Sequence, residues 1–215
     1  MTEHGPGEWN AYFQHDERGE RTEVLANRLG IVDDDGLQLA ERDHGARAAL
    51  RIRTGASPVA QTFDLAHLRA IHEALFGEVY AWAGRVRTVG LAKGMTTFAD
   101  PGEGIRRAAA QAQRVVHDTD WPSADDELFA VRLAEVFAWV NFAHPFREGN
   151  GRTTRLFLAD VAALAGRRLE FARVGKAVWD QRSELTSPDL GSTTPVPDAM
   201  VPVMRHVAGG AAHRG

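Results

Sequence analysis

A chain of 215 residues with 44% hydrophobic content can bury one sizeable core. Its net charge of −4 and pI near 6.1 exclude broad electrostatic attraction to nucleic acid or to an anionic membrane, so a phosphate ligand would need a local basic site. Cysteine is absent, which removes disulfides, thiolate metal sites and thiol nucleophiles.

Residues 1–20 are polar and aperiodic, and read as an arm tacked down by Trp9, Tyr12 and Phe13. They lack the basic-then-apolar pattern of a leader peptide, so the expected location is cytoplasmic. From 21 to 209 the chain reads as one domain. "TEVLANRLGI" suits a short helix and "VDDDG" a turn; Ile31 breaks the spacing that a calcium loop needs. "GLQLAERDHGARAALRIR" is helical. A second helix starts at the cap Asp64, puts Leu65, Leu68, Ile71, Leu75 and Val79 on one face, and is closed by Gly84. Residues 85–99 change character: "RVRTVGLAKGMTTF" is rich in Val and Thr, loses the helical period, and predicts a β-hairpin flap turning near Lys93 and Gly94.

"GIRRAAAQAQRVVHD" returns to helix. From the cap Ser123 follows an apolar helix with Leu128, Val131, Leu133, Val136, Phe137 and Val140; its most apolar run, Leu133 to Ala143, is too short to span a bilayer. "RTTRLFLADVAALAG" makes the next helix, stopped by Gly166, and "GKAVWDQRSEL" and "PDAMVPVMRHV" make two shorter ones. Residues 210–215 read as a disordered tail. The fold class is all-α with one small hairpin. Trp82, Trp139 and Trp179 read as core, and the spacing of His67 and His72 does not suit a helical metal pair.

Between two apolar helices stands "HPFREGNGRTTR", His144 to Arg155. Pro145 cannot continue the preceding helix. Gly149 and Gly151 let successive N–H groups converge, and the next helix begins at once with its positive end, which makes an anion nest. Arg152 and Arg155 share the first turn of that helix and offer donors to phosphate oxygens. Glu148 in an anion site makes sense with a Mg²⁺ between it and a polyphosphate. His144 is the side chain there that can take a proton near neutral pH. Such a set suits attack by a hydroxyl on a nucleotide phosphate.

This stretch resembles the Fic signature, H-P-F-x-[D/E]-G-N-G-R-x-x-R, at every specified position. "HLRAIHEALFGEVYAWAGRVRTVGLAKGMTTFAD", from His67 to Asp100, is similar to the helix and flap that precede it in Fic proteins. The resemblance implies a helical Fic bundle with a hairpin flap, moving AMP from ATP to a Ser, Thr or Tyr hydroxyl of a target protein. It implies His144 as general base, Phe146 as a core anchor and Glu148 as the Mg²⁺ ligand. Asn150 and the backbone of Gly149 and Gly151 would cradle the α-phosphate, with Arg152 and Arg155 on the outer phosphates. Lys93, Thr97, Phe98 and Ala99 would form the docking edge for the target peptide. The segment from Trp179 to Asp189 is the candidate for contacting adenine.

Many Fic proteins carry an inhibitory helix with [S/T]-x-x-x-E-[G/N]. In this chain only Ser123 has a glutamate four residues on, and Leu128 stands where Gly or Asn belongs. The arm with "VLANRLGI" also resembles short bacterial toxins restrained by a separate small antitoxin, whose targets are gyrase and topoisomerase IV. The alternatives are a Fic-fold enzyme moving another phosphate-containing group, such as phosphate or phosphocholine, and a non-catalytic helical interaction module.

Overall fold

In a computed structural model the described residues are 8–93 and 96–208. The expected tail falls outside them, as do the first seven residues of the arm and the tip of the flap at Gly94. Seven α-helices are present among the described residues: α1 (Asp34–Arg53), α2 (Leu65–Phe76), α3 (Glu103–Asp118), α4 (Asp126–Ala143), α5 (Asn150–Leu164), α6 (Lys176–Glu184) and α7 (Val201–Val207). Two small antiparallel sheets accompany them, β1 (Phe13–His15) with β2 (Arg21–Leu25), and β3 (Ala92–Lys93) with β4 (Thr96–Thr97). None of the described helices is long and apolar enough to cross a membrane.

The core is built around α4. Phe129, Leu133, Val136, Phe137 and Val140 are buried on different sides of this helix, which packs against α3, α5 and α7. Helix α2 lays Leu68, Ile71 and Leu75 inward, and α5 contributes Phe157, Leu158 and Val161. The buried His67 of α2 meets Asp160 of α5 across this core, Nε2 to Oδ2 at 3.0 Å.

Three local expectations are corrected. "TEVLANRLGI" is a strand and a loop, not a helix: β2 pairs Leu25 with Phe13 and Arg21 with His15. The amide of Asn27 then closes a non-helical loop, donating to the carbonyls of Leu25 and Ile31 and accepting from the N–H groups of Leu29 and Ile31. Helix α2 stops at Phe76, eight residues before Gly84, because Val79, Tyr80, Trp82 and Ala83 are all buried, and no single helix face can bury four of five successive positions. The cap of α4 is Asp125, whose carboxylate accepts the N–H of Leu128 at 2.8 Å, while Ser123 closes a 3-10 turn begun at Trp121. A charged acceptor at the positive helix end is the stronger cap.

The arm is joined to the body. Tyr12 is buried, its ring edge-on to Trp82 at 5.6 Å, and the Arg147 guanidinium lies over the rings of Trp9 at 4.8 Å and Phe13 at 5.3 Å.

Candidate active site

The loop between α4 and α5 takes its shape from four local devices. Helix α4 ends at Ala143, and its C-cap His144 adopts a left-handed conformation with φ 39° and ψ 59°, a state that costs a non-glycine residue about 1–2 kcal/mol. Pro145 prevents any further helical turn. The Arg87 side chain donates from Nε to the His144 carbonyl at 2.8 Å, and the Arg87 backbone N–H donates to Pro145 at 2.8 Å. Phe146 is fully buried, its ring stacked on His72 at 3.9 Å.

The side chain of Asn150 is spent on this loop. Its Oδ1 accepts the Phe146 N–H at 2.9 Å and its Nδ2 donates to the Phe146 carbonyl at 2.8 Å. Its amide is therefore committed to the loop, which leaves its backbone as the part able to contact an anion. His72 holds the other end. Its Nδ1 accepts the Gly84 N–H at 2.9 Å, so the ring is neutral with its proton on Nε2, which donates to the Glu148 carbonyl at 2.9 Å. Complete burial pushes the His72 pKa down to about 3, against the raising effect of the Glu148 hydrogen bond.

Two glycines do different work. Gly149 has φ +82°, and a Cβ there would stand 2.4 Å from Cε2 of Phe76. At Gly151 a Cβ would meet nothing within 4 Å. Gly149 is the N-cap of α5 and supplies no side chain to its first amides, the condition in which a helix start accepts an anion.

These elements face a cavity of about 890 Å³. His144, Glu148, the three residues 149–151, Arg152 and Arg155 all line it, with Thr96 and Phe98 of the flap and Trp179, Asp180 and Ser183 of α6 forming other walls. Part of the segment expected to contact adenine thus lies in the same space as the motif. Asn141 sets that wall: from the apolar α4 its Nδ2 donates to the Ser183 carbonyl and to Thr186 Oγ1, both at 3.1 Å.

The two motif arginines differ. Arg152 is engaged by Glu41 of α1 and lies over the Phe76 ring at 4.4 Å. Arg155 lies over Trp179 at 5.1 Å and makes no ion pair among the described residues. Its Nε is buried without a hydrogen-bond partner. Burial lowers its pKa, with the neighbouring Asp180 opposing. Glu127, the glutamate four residues after Ser123, pairs instead with Arg205.

The flap pairs Ala92 with Thr97 and Lys93 with Thr96. Phe98 stacks on the His144 ring at 3.8 Å, and Thr97 is exposed. Ala99 is buried, its N–H donating to Phe142 and its carbonyl accepting from Arg87, so it anchors the flap and leaves no backbone group for a docked strand. The Lys93 side chain lies outside the described residues.

Sequence reasoning missed Glu41, Tyr80, His72, Arg87, Asn141 and Arg147. A charge inside the apolar alternation "VRTV" was the available signal for Arg87; Glu41, one of several charges along α1, gave none.

The Fic/DOC family model matches residues 62–162. Over 185 residues the chain is 34% identical to "Protein adenylyltransferase VbhT" of Bartonella schoenbuchensis, covering 86% of this chain but only 37% of that protein. It is 37% identical over 158 residues to "Probable protein adenylyltransferase y4lH" of Sinorhizobium fredii, covering 71% of this chain and 78% of that one. Among solved structures, the N-terminal Fic domain of a VirB-translocated Bep effector protein from Bartonella quintana, with bound ADP, superposes with a TM-score of 0.77 at 27% identity, covering 91% of this chain and 93% of that one. The chain belongs to the Fic/DOC family.

Proposed function

We propose that this enzyme is a protein adenylyltransferase that moves AMP from ATP to a hydroxyl side chain of another protein. The observation that carries the reading is that His144 and the uncapped start of α5 line one cavity together with Arg152 and Arg155. The relatives named as protein adenylyltransferases support the same chemistry.

His144 accepts the proton of the target hydroxyl. The freed oxygen forms a bond to the α-phosphorus of ATP, the bond from that phosphorus to the β-phosphate oxygen breaks, and pyrophosphate leaves. Amides at the start of α5 hold the α-phosphate, and Arg152 and Arg155 take the outer phosphates. Arg152 has already committed two N–H groups to Glu41, so Arg155 is the less encumbered of the two. Phe98 packs the His144 ring from the flap, whose exposed Thr97 edge receives the target peptide.

The residues fit a bound Mg²⁺. Glu148 lines the cavity and accepts the Gly149 N–H at one oxygen, so its other oxygen would hold the ion. That donor set suits an ion completed by phosphate oxygens and water. When bound, Mg²⁺ neutralises charge on the departing phosphates.

The restraint on this activity comes from outside the chain. Among the described residues Arg155 makes no ion pair with a carboxylate, and we assign that role to a small antitoxin supplying a Ser/Thr-x-x-x-Glu-Gly/Asn helix beside it. We place the enzyme in the cytoplasm as the toxin of such a pair, with gyrase and topoisomerase IV as candidate targets.

Incubating the protein and a bacterial lysate with α-labelled and γ-labelled ATP in parallel tests the reading. Protein label from the α position alone is expected, lowered roughly 10²- to 10⁴-fold by His144→Ala with nucleotide binding kept. Label from γ alone means phosphorylation, and no label from either means a non-catalytic module; both results reject AMP transfer.

A further inference from the structure

Arg87 is fully buried, yet no carboxylate lies within ion-pair distance of it among the described residues. Among the described residues its guanidinium donates only to main-chain carbonyls. Nε reaches His144 at 2.8 Å, Nη1 reaches Val89 at 2.7 Å, and Nη2 reaches Ala99 at 2.6 Å and Ala143 at 3.4 Å. Its backbone N–H goes to Pro145. Two of these acceptors lie in the segment leading through the flap, and three lie at the end of α4 and the start of the motif. Burial lowers its pKa to about 10, so it remains a cation at neutral pH.

A buried cation without a counterion adds little stability over an apolar side chain of equal size. What it supplies is geometry. The last carbonyls of α4 are the negative end of a helix dipole, and the guanidinium is a planar fork that satisfies them together with the flap carbonyls. At the same point His144 holds an unfavourable left-handed backbone, and Phe98 lies flat on its ring. Lysine, with three donors on one nitrogen, cannot span these carbonyls in the same plane.

We infer that Arg87 is a positioning residue: by binding the carbonyls of His144, Val89 and Ala99 together, it fixes the flap and the His144 backbone at one relative placement. The proposed AMP transfer uses that placement, and to that extent the inference rests on the functional reading above. The phosphate nest at the start of α5 does not depend on it.

The test compares Arg87→Met and Arg87→Lys with wild type in the full chain, and adds Val116→Ala in α3 as a destabilised control. Three quantities are read: hydrogen exchange at the Ala99 amide, affinity for a non-hydrolysable ATP analogue with Mg²⁺, and transfer from α-labelled ATP to lysate proteins. For Arg87→Met, Ala99 exchange should rise at least about tenfold, analogue affinity should stay within about threefold, and transfer should fall roughly 10²-fold, the penalty of misplacement by an ångström. Arg87→Lys should fall between Arg87→Met and wild type in exchange and transfer, and Val116→Ala should keep wild-type transfer. Should Arg87→Met fail to fold, Arg87→Lys carries the same comparison. Unchanged exchange and transfer overturn the inference, as does loss of analogue binding in step with transfer. If wild type itself transfers no label, the functional reading fails, and the exchange measurement still decides whether Arg87 fixes the flap.

Discussion

Glu41 of α1 and Arg152 of α5 are 111 residues apart in sequence and joined twice: Nη2 of Arg152 lies 2.5 Å from the Glu41 carboxylate, and Nη1 lies 3.1 Å from the Glu41 carbonyl. The other Glu41 oxygen accepts the hydroxyl of Tyr80. Burial and this carboxylate push the Tyr80 pKa up, so the phenol stays a donor. Removing the carboxylate leaves a buried hydroxyl and a half-buried guanidinium without their acceptor. Glu41→Ala should therefore cost about 1–3 kcal/mol, a melting temperature lower by several degrees, while Glu41→Gln, which still accepts from Tyr80, should lose less than half as much. Thermal melts of the two variants beside wild type give the comparison.

The two motif glycines should separate fold from ligand. Gly149→Ala forces a left-handed alanine and a methyl into the Phe76 ring, and should destabilise by more than the ~1–2 kcal/mol of the backbone term alone. Gly151→Ala adds a methyl with nothing near it and replaces a helical glycine, so stability should rise by up to ~1 kcal/mol. The same methyl stands where a phosphate would approach, and nucleotide affinity should drop. Calorimetry with ADP on a stable Gly151→Ala that bound as well as wild type would place the phosphates elsewhere.

His72 predicts a pH dependence of stability. The unfolded chain protonates this ring near pH 6.5 and the folded protein only near 3. Between those values the unfolded state holds the extra proton, so stability falls as pH falls, by about 1.4 kcal/mol per unit from this group. His72→Gln should remove that contribution. Urea midpoints at pH 7 and pH 5 should converge in the variant, and an unchanged gap would assign the slope to other groups.

External restraint predicts a growth phenotype. Wild-type protein should slow its expression host, and His144→Ala should not. A small helical protein with Ser/Thr-x-x-x-Glu-Gly/Asn should restore growth, and changing its glutamate to glycine should release activity while leaving most of the helix contact intact. Full activity appearing only after trimming one terminus of this chain would reveal an internal brake instead.

The motif was legible because its information is local: proline, two glycines and the charges around them act within twelve residues. Apolar periodicity likewise located the bodies of α3, α4 and α5. It failed at ends, where burial by distant elements overrides it, as at Phe76. It failed also for "TEVLANRLGI", whose leucines and alanine favour helix but whose fate is set by pairing with β1. Glu41, His72 and Arg87 were invisible for the same reason. Each acts on the motif across 57 or more residues, through contacts that no spacing rule encodes.

His144, the bearer of the proposed base, is the C-cap of α4, while the proposed anion nest is the first turn of α5. The two halves of the proposed chemistry thus ride on two packed rods joined by a six-residue link, 144–149, that is itself pinned. Their separation is a crossing parameter of the core. A conservative exchange at Phe157 or Val161, both buried and neither lining the cavity, would shift one rod against the other and register as turnover, so screens that read only cavity-lining positions would overlook a class of rate-tuning changes hidden in the hydrophobic interior.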